Sequence, residues 1–359
     1  MLRLTLIGDI FPGDEIFTAG FGIRSRTTKE NAPVWSREMA SVTGPADYVI
    51  GNLESPLSDD PGAALFCGRT MFADVLKEAG VNVLNIANNH IMEHGPEGYQ
   101  ETLSVLGSRG IHVIGQAEEG LSRILTLKKD GTTVCMAGFC DDRISSLDNP
   151  GLYADLEEGR ALRTLAKMKE LHPDIILFCL HWGNEYIHIP SPEQRRMAHL
   201  LIDGGADLVV GHHPHVIQPY EQYKKGHIFY SLGNFCFDDV QSRHFGRGMA
   251  AHVEVSGSEI TGVFFSGVQV QDMAFGDSLV RAMADRKILS LLSRINGKYA
   301  SLGALPDERY QRMYDRKCRR ARTRERILMR WNIVKKLVAP RHRHRRQFIS
   351  NLINRMHGA

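Results

Sequence analysis

Histidine, carboxylate and asparagine side chains recur at short spacing in five stretches of this chain, and the densest is Val-Gly-His-His-Pro-His-Val at 210–216. His213 and His215, two residues apart, can face the same way from an extended loop, which leaves His212 pointing elsewhere. Gly211 permits a tight exit from the strand before it. Taken alone, the segment also reads as a solvated histidine-rich loop. His181 ends the apolar run Ile-Ile-Leu-Phe-Cys-Leu and opens His-Trp-Gly-Asn-Glu-Tyr, so an imidazole emerges at a strand's carboxyl end. A satisfied core histidine is the competing reading. Gly183 leaves room there for a substrate or metal, Tyr186 is a candidate pocket wall, and Trp182 reads as core.

Asn88, Asn89 and His90 precede a glycine-interrupted helix start. An asparagine oxygen can ligate a metal, and the adjacent histidine can hold a charged substrate oxygen or protonate a leaving group. A turn or helix cap is the plainer role for paired asparagines. Asp9 follows Leu-Thr-Leu-Ile-Gly and Glu54 follows Tyr-Val-Ile-Gly-Asn-Leu. Carboxylates at the ends of apolar runs are costly without a partner such as a metal; helix capping for Asp9 and a surface turn for Glu54 are the alternatives. As a set, these carboxylates, amides and imidazoles suit a divalent transition metal, Mn, Fe or Zn, as one or two ions.

The elements that must position them are near-continuous apolar runs at 2–8, 47–53, 81–87, 111–115, 133–139, 174–180, 206–211 and 227–233. Such runs read as strands buried on both faces. Helix-period stretches at 69–79, 95–109, 155–171 and 192–204 lie between them, an order that implies an α/β layered fold with much parallel sheet. Polar residues able to carry chemistry follow directly after the strands: Asp9, Asn52 and Glu54, Asn88 to His90, His181, His212 to His215, and Asn234. In open α/β sheets ligands gather beyond the carboxyl ends of strands, so separated positions converge on one rim. Residues 249–272 alternate around Gly257-Ser258 as an antiparallel hairpin, and strands are expected to cease from about 277. This places a main domain at 1–275 and a helical extension at 276–359.

Charge separates along the same line. Residues 281–359 carry 22 Lys+Arg against 5 Asp+Glu, net +17, while residues 1–280 carry 22 against 36, net −14. The six cysteines are scattered without a Cys-x-x-Cys pair and read as buried free thiols. No apolar run reaches the roughly 20 residues of a membrane span, and residues 1–10 lack the features of a signal peptide, so a cytoplasmic location is expected.

With these residues assembled, the chain resembles the CapA-type family of capsule and poly-gamma-glutamate synthesis proteins, related in fold to calcineurin-like metallophosphoesterases. The matches run in order: GDIFPGD (8–14), GNLESPL (51–57), NIANNHIMEHGPEGYQETL (85–103), LHWGNEY (180–186), GADLVVGHHPHVIQPYE (205–221) and YSLGNFCFD (230–238). The resemblance implies a four-layer α-β-β-α sandwich with Asp9, Glu54, Asn89, His181, His213 and His215 at metal-ligand positions and His90 at the position that assists phosphoester cleavage. Asn88 and Glu54 are further catalytic candidates. Three departures stand out: the phosphoesterase Asp-x-His is Asp9-Ile10-Phe11, the bridging Asp falls at Glu54, and the acidic position after the Asn-Asn-His triplet, usually Asp in the family, is Glu93.

What the resemblance implies is synthesis or export of an anionic surface polymer, poly-gamma-glutamate or polysaccharide. A metal-activated water would attack a phosphoester or amide-like bond. A non-catalytic component that binds the polymer or its synthase is the alternative. The basic tail is the expected attachment to an anionic membrane or synthase: residues 325–338 place Ile327, Leu328, Trp331, Val334, Leu337 and Val338 at helical spacing among Arg and Lys, flanked by the run from Arg341 to Arg346. That corresponds to a peripheral position at the inner membrane face. Core packing of the same helix is the alternative, and nucleic acid is disfavoured as a partner because the acidic body repels phosphate.

Overall fold

Runs rich in Val, Ile and Leu form strands that helices cover on one side and a second sheet on the other. A computed structural model describes residues 1–60, 62–237, 246–339 and 342–356. Asp238 and Arg341, which close and open two of the segments singled out above, lie outside the described residues. The strands are β1 (Leu2–Phe11), β2 (Tyr48–Leu53), β3 (Val81–Asn85), β4 (His112–Ile114), β5 (Ala117–Glu118), β6 (Leu121–Ser122), β7 (Leu125–Lys129) and β8 (Thr132–Cys140), then β9 (Ile175–His181), β10 (Leu208–His212), β11 (Tyr220–Tyr223), β12 (Gly226–Phe229), β13 (Asn234–Phe237), β14 (Arg247–Ser256), β15 (Glu259–Val270) and β16 (Val280–Met283). The helices are α1 (Ile23–Arg26), α2 (Ala32–Thr43), α3 (Phe72–Glu78), α4 (Gly95–Ser108), α5 (Glu158–Glu170), α6 (Pro192–Gly204), α7 (Asp285–Gly303), α8 (Asp307–Val338) and α9 (Arg345–Met356).

Two sheets dominate this mixed α/β fold. One runs β16-β15-β14-β1-β2-β3-β4 with β13 also paired to β1, and the other runs β11-β12-β10-β9-β8-β7. Their centres are parallel; both edges of the second sheet and the β14–β16 side of the first are antiparallel, while the β4 edge is parallel. Leu4, Leu6, Ile50 and Val83 of the first sheet share a buried cluster with Val134, Leu177, Leu208 and Val210 of the second. Strand residues of opposite parity, Ile7, Val49 and Leu84, pack against Trp35, Met39, Phe72 and Leu76 of α2 and α3. Cys135, Phe178 and Val209 likewise meet Leu165 and Leu201 of α5 and α6. The period-2 alternation within each strand thus sends neighbouring residues to different cores.

Helix α6 shows why its boundaries were legible. Ser191 accepts from the Gln194 backbone at 3.0 Å while the Gln194 side chain accepts from the Ser191 backbone at 2.8 Å, a reciprocal cap. Gly205, at φ 110°, ends it in the left-handed conformation. The expected hairpin is present as β14 and β15, turning at Gly257. All six cysteines are free, five of them buried.

The expectation that strands cease near 277 is corrected by β16, which pairs antiparallel with β15 and buries Val280 completely. Helix α7 then sends Ile288, Leu292 and Ile295 into the core between the sheets. The apolar face of α7 therefore belongs to the body, because removing it would open that core to water. Further along, Tyr310 donates to the Pro190 carbonyl at 2.8 Å, and Ile333 and Leu337 of α8 pack with Phe17, Phe21 and Phe348. Among the described residues no helix is long and apolar enough to cross a membrane.

Candidate metal centre

Strand register builds this site before any side chain is considered. Asp9 on β1 lies opposite Asn52 on β2 and Asn234 on β13, and Asn52 lies opposite Asn85 on β3. On the other sheet His181 is the register partner of His212. Two polar rows at the carboxyl ends of parallel strands therefore face one another. Close approach requires glycine twice: a Cβ on Gly8 would stand 1.9 Å from the Gly233 carbonyl oxygen, and one on Gly211 would stand 1.9 Å from that of Tyr230.

Asp9, Glu54 and His181 are fully buried, and His213 and His215 nearly so. Asp9 accepts from Asn52 at 3.0 Å and from the His213 backbone at 3.2 Å, with His212 Nδ1 at 3.1 Å and His215 Nδ1 at 3.4 Å. Glu54 Oε1 lies 3.5 Å from His181 Nε2 and 3.5 Å from His215 Nε2. His181 Nε2 is also 2.7 Å from Asn89 Oδ1. Glu54, His213 and His215 each present a ligand atom within 4.8 Å of the others, and so do Asp9, Glu54 and His181. Glu54 is common to both groups.

Three buried polar atoms in this cluster, Glu54 Oε1, His213 Nδ1 and His212 Nε2, have no hydrogen-bond partner among the described residues. An orphaned carboxylate oxygen and imidazole nitrogen amid further carboxylate and imidazole donors fit a divalent cation, whose charge offsets the desolvation cost. The electrostatics agree. Burial pushes the Glu54 carboxyl well above the usual range, with His215 opposing and Asp9 and Glu185 adding to the shift. Burial also raises Asp9, but hydrogen bonds from His212 and His215 outweigh it and hold that carboxyl well below its ordinary value. Burial and the neighbouring His213 depress His181, while burial and His215 lower His213 to about 3. Burial works against a charge on His215, yet Glu54 and Asp9 lift it well above normal.

His90 lies beside the cluster, close enough for its charge to contribute to lowering His213. Its Nδ1 is 2.7 Å from Glu93 Oε1, so the longer acid spans the distance, and its ring lies flat to Phe66. Asn88 is buried and wholly occupied: its amide donates to Leu53 at 2.7 Å and Asn52 at 3.3 Å, and its oxygen accepts from the His90 backbone at 3.2 Å. That geometry gives Asn88 a positioning task. Phe11 stacks on Phe237 at 4.7 Å, filling space with a ring that has no donor nitrogen.

Local expectations differ from the structure in three ways. The 210–216 loop is not extended, since His213 has φ 91° and His215 φ 54°. Backbone in that region costs about 1–3 kcal/mol per residue and persists where surrounding contacts hold it. His212, expected to point elsewhere, reaches Asp9. The room expected beside Gly183 for a substrate or metal is only partly open: a Cβ there would meet the Gln194 side chain at 2.6 Å, while Gly183 also lines a recess of about 390 Å³ that reaches His213. Trp182 is core, donating to the Tyr230 carbonyl at 3.1 Å, and Tyr186 stands 6.2 Å from His215, ring centre to ring centre. Asn52 and Asn234, marked by their position after strands but given no specific role, donate to Asp9 and meet His215 respectively; that position is a signal shared with many turn residues.

Residues 3–239 match the family described as "Bacterial capsule synthesis protein PGA_cap". The chain belongs to this family. Its relatives include "Capsule biosynthesis protein CapA" of Bacillus anthracis, 31% identical over 259 residues, covering 67% of this chain and 61% of the relative. "PGA biosynthesis protein CapA" of Bacillus subtilis is 33% identical over 258 residues, covering 68% of this chain and 65% of the relative. The chain thus spans less than two thirds of the length of either. Among solved structures, a 5'-nucleotidase precursor from Thermus thermophilus aligns with 84% of this chain and 60% of its own, at 14% identity and a TM-score of 0.45. The PGA_cap match contains every cluster residue from Asp9 to Asn234 and ends before β14, so the basic helices lie outside it.

Proposed function

We propose that this PGA_cap family member is a metal-dependent hydrolase of the phosphoesterase type that acts in synthesis or export of an anionic surface polymer, poly-gamma-glutamate or a capsular polysaccharide. The observation that carries the reading is the buried cluster in which Glu54 Oε1 and His213 Nδ1 have no hydrogen-bond partner among the described residues. Asp9, Glu54, Asn89, His181, His213 and His215 would hold one or two divalent ions, with Glu54 shared if there are two. A Mn, Fe or Zn ion bound there supplies Lewis acidity toward a phosphoryl or amide-like oxygen and toward water.

The chain's own residues divide the remaining work. Asp9 takes hydrogen bonds from four groups and fixes the loop that carries His213. Glu93 holds the His90 Nδ1 side, which aims Nε2 outward to protonate a leaving oxygen. Asn88 locks the His90 backbone through its oxygen. We read the layered packing as a four-layer α-β-β-α sandwich, with residues 1–275 as its principal domain, completed by β16 and the apolar face of α7, and the basic helices beyond as an attachment device at the inner membrane face or to a polymer synthase.

Metal content of the purified protein, measured together with hydrolysis of bis(p-nitrophenyl) phosphate, tests the enzyme reading. Stoichiometric metal with turnover supports it. Phe11 is the observation that favours a second reading, a polymer-binding component without catalysis, because a phenyl ring stands where the phosphoesterase pattern has a ligand histidine. Bound metal with no turnover on phosphodiester or poly-gamma-glutamate would select that reading.

A further inference from the structure

A cavity of about 610 Å³ lies between the 186–189 loop and helices α7 and α8. Its wall carries Arg247, Arg294, Lys298, Lys317, Arg320 and Arg324. No carboxylate pairs with any of the six among the described residues. Burial, then Lys298 beside it and Arg320 beyond, pushes Lys317 down from its ordinary value. Cations gathered without counter-charge repel one another, and a multiply charged anion removes that repulsion. The floor is different in kind: Ile187, Ile217 and Leu291 present hydrocarbon. Arg320, Arg324 and Leu328 also line an adjoining recess with Ile327, so the apolar surface continues outward along α8.

We propose that this cavity binds an amphiphile with a phosphate or diphosphate head, the head among the cations and the chain on the apolar floor. Four of the six cations are arginines, whose planar forks match phosphate oxygens two at a time. The volume is within the ordinary range of about 300–1,000 Å³ for a small-molecule site. None of the candidate metal ligands lines it, and it approaches the centre only through Tyr186, Ile187 and Ala321, shared with a recess of about 390 Å³ that reaches His213. The inference therefore goes beyond the hydrolase reading and does not depend on it.

Calorimetric titration of the full chain with geranyl diphosphate, inorganic diphosphate and geraniol is the test. Geranyl diphosphate should bind at least about 10-fold tighter than inorganic diphosphate, with geraniol undetectable, because head and floor both contribute. Lys298→Gln with Arg320→Gln, both exposed and neutral to folding, should weaken it about 10-fold or more. Leu291→Ser should weaken geranyl diphosphate while leaving inorganic diphosphate unchanged. His213→Ala should leave all three titrations as they are, and loss there would move the ligand to the metal centre and overturn the proposal. Equal affinity for geranyl and inorganic diphosphate, or undiminished binding by the Lys298/Arg320 variant, would also overturn it. Displacement by phosphatidylglycerol vesicles would identify a bilayer lipid as the source of the head, and resistance to displacement a soluble ester.

Discussion

The metal centre and the C-terminal helices handle charge in opposite ways. At the centre, two carboxylates and four imidazoles are buried at the meeting of two sheets, where register and asparagines hold Asp9 and His215 while Glu54 Oε1, His212 Nε2 and His213 Nδ1 have no hydrogen-bond partner among the described residues. On α8 the charges are numerous, predominantly positive and mostly in water, and they surround Ile327, Trp331, Val334 and Val338, which are 51%, 60%, 49% and 69% exposed. The first arrangement is costly unless a small cation completes it. The second costs little as it stands and leaves apolar area free for something extended. Net charge follows the same division, −14 over residues 1–280 and +17 over residues 281–359.

The largest expected effect breaks the first side. His213→Ala removes a proposed ligand whose Nδ1 has no hydrogen-bond partner among the described residues, so metal affinity should fall by more than the ~10–100-fold typical of outer-shell changes. Metal analysis of the purified variant checks this, and wild-type occupancy in the variant would refute the site. Glu54→Gln keeps the shape and removes the charge common to both donor groups; loss of metal comparable to His213→Ala is expected, whereas full binding with full turnover would return Glu54 to a structural role. Asn234→Ala acts one step out, since Asn234 Oδ1 is 3.0 Å from His215 Nδ1, and a roughly 10-fold weaker affinity is expected by the same measurement.

Proton linkage sharpens the contrast further. Glu54 and His215 both have folded values above their ordinary ones. Their contribution to stability in chelator is present at low pH and lost as pH rises through those folded values. His181 and His213 are depressed and Asp9 is held low, so theirs is lost as pH falls, below about 6.5 for the histidines and below about 3.9 for Asp9. Metal binding requires Glu54 ionised and His215 with a free lone pair, so it releases protons and strengthens with pH. Thermal melts in chelator should lose stability on the alkaline side, and saturating metal should abolish that loss. Identical alkaline limbs with and without metal would dissociate these groups from the ion.

The legibility of the two regions differed for a physical reason. Buried parallel strands advertise themselves, so Leu4, Leu6, Val49 and Ile50 revealed β1 and β2, and a polar residue after each strand marked the rim. Which polar residues touch depends on register and backbone hand, neither of which the residue types record. Pairing of Asp9 with Asn52 and Asn234 is a register fact, and His212 was misjudged because two-residue alternation presumes extended backbone while His213 and His215 adopt positive φ. Strand β16 was missed because four residues, Val-Arg-Ala-Met, are too few to show a period. Along α8 the apolar period was plain, but the same period served two surfaces: Leu337, with Ile333 beside it in the pattern, turned inward while Trp331 and Val338 did not.

That split sets the smallest effect on folding and the clearest test of adhesion. Ile327, Trp331, Val334 and Val338 recur at intervals of four, three and four, one continuous stripe on α8, with Arg326, Arg330 and Lys335 on the same helix. Each basic residue near an anionic leaflet contributes about 1 kcal/mol, and the stripe adds the apolar insertion that makes such binding more than electrostatic. Truncation near residue 275 would confuse the test, because it also removes β16 and the α7 residues buried between the sheets. Trp331→Ser with Val338→Ser removes only exposed hydrocarbon, so the melting transition should move by no more than about 0.5 kcal/mol equivalent. Co-sedimentation with anionic vesicles should nevertheless drop several-fold, require anionic lipid and weaken with salt, while neutral vesicles retain neither protein. Undiminished sedimentation of the double variant would leave the stripe without a membrane role, and a large loss of stability would show that its residues pack against the chain after all.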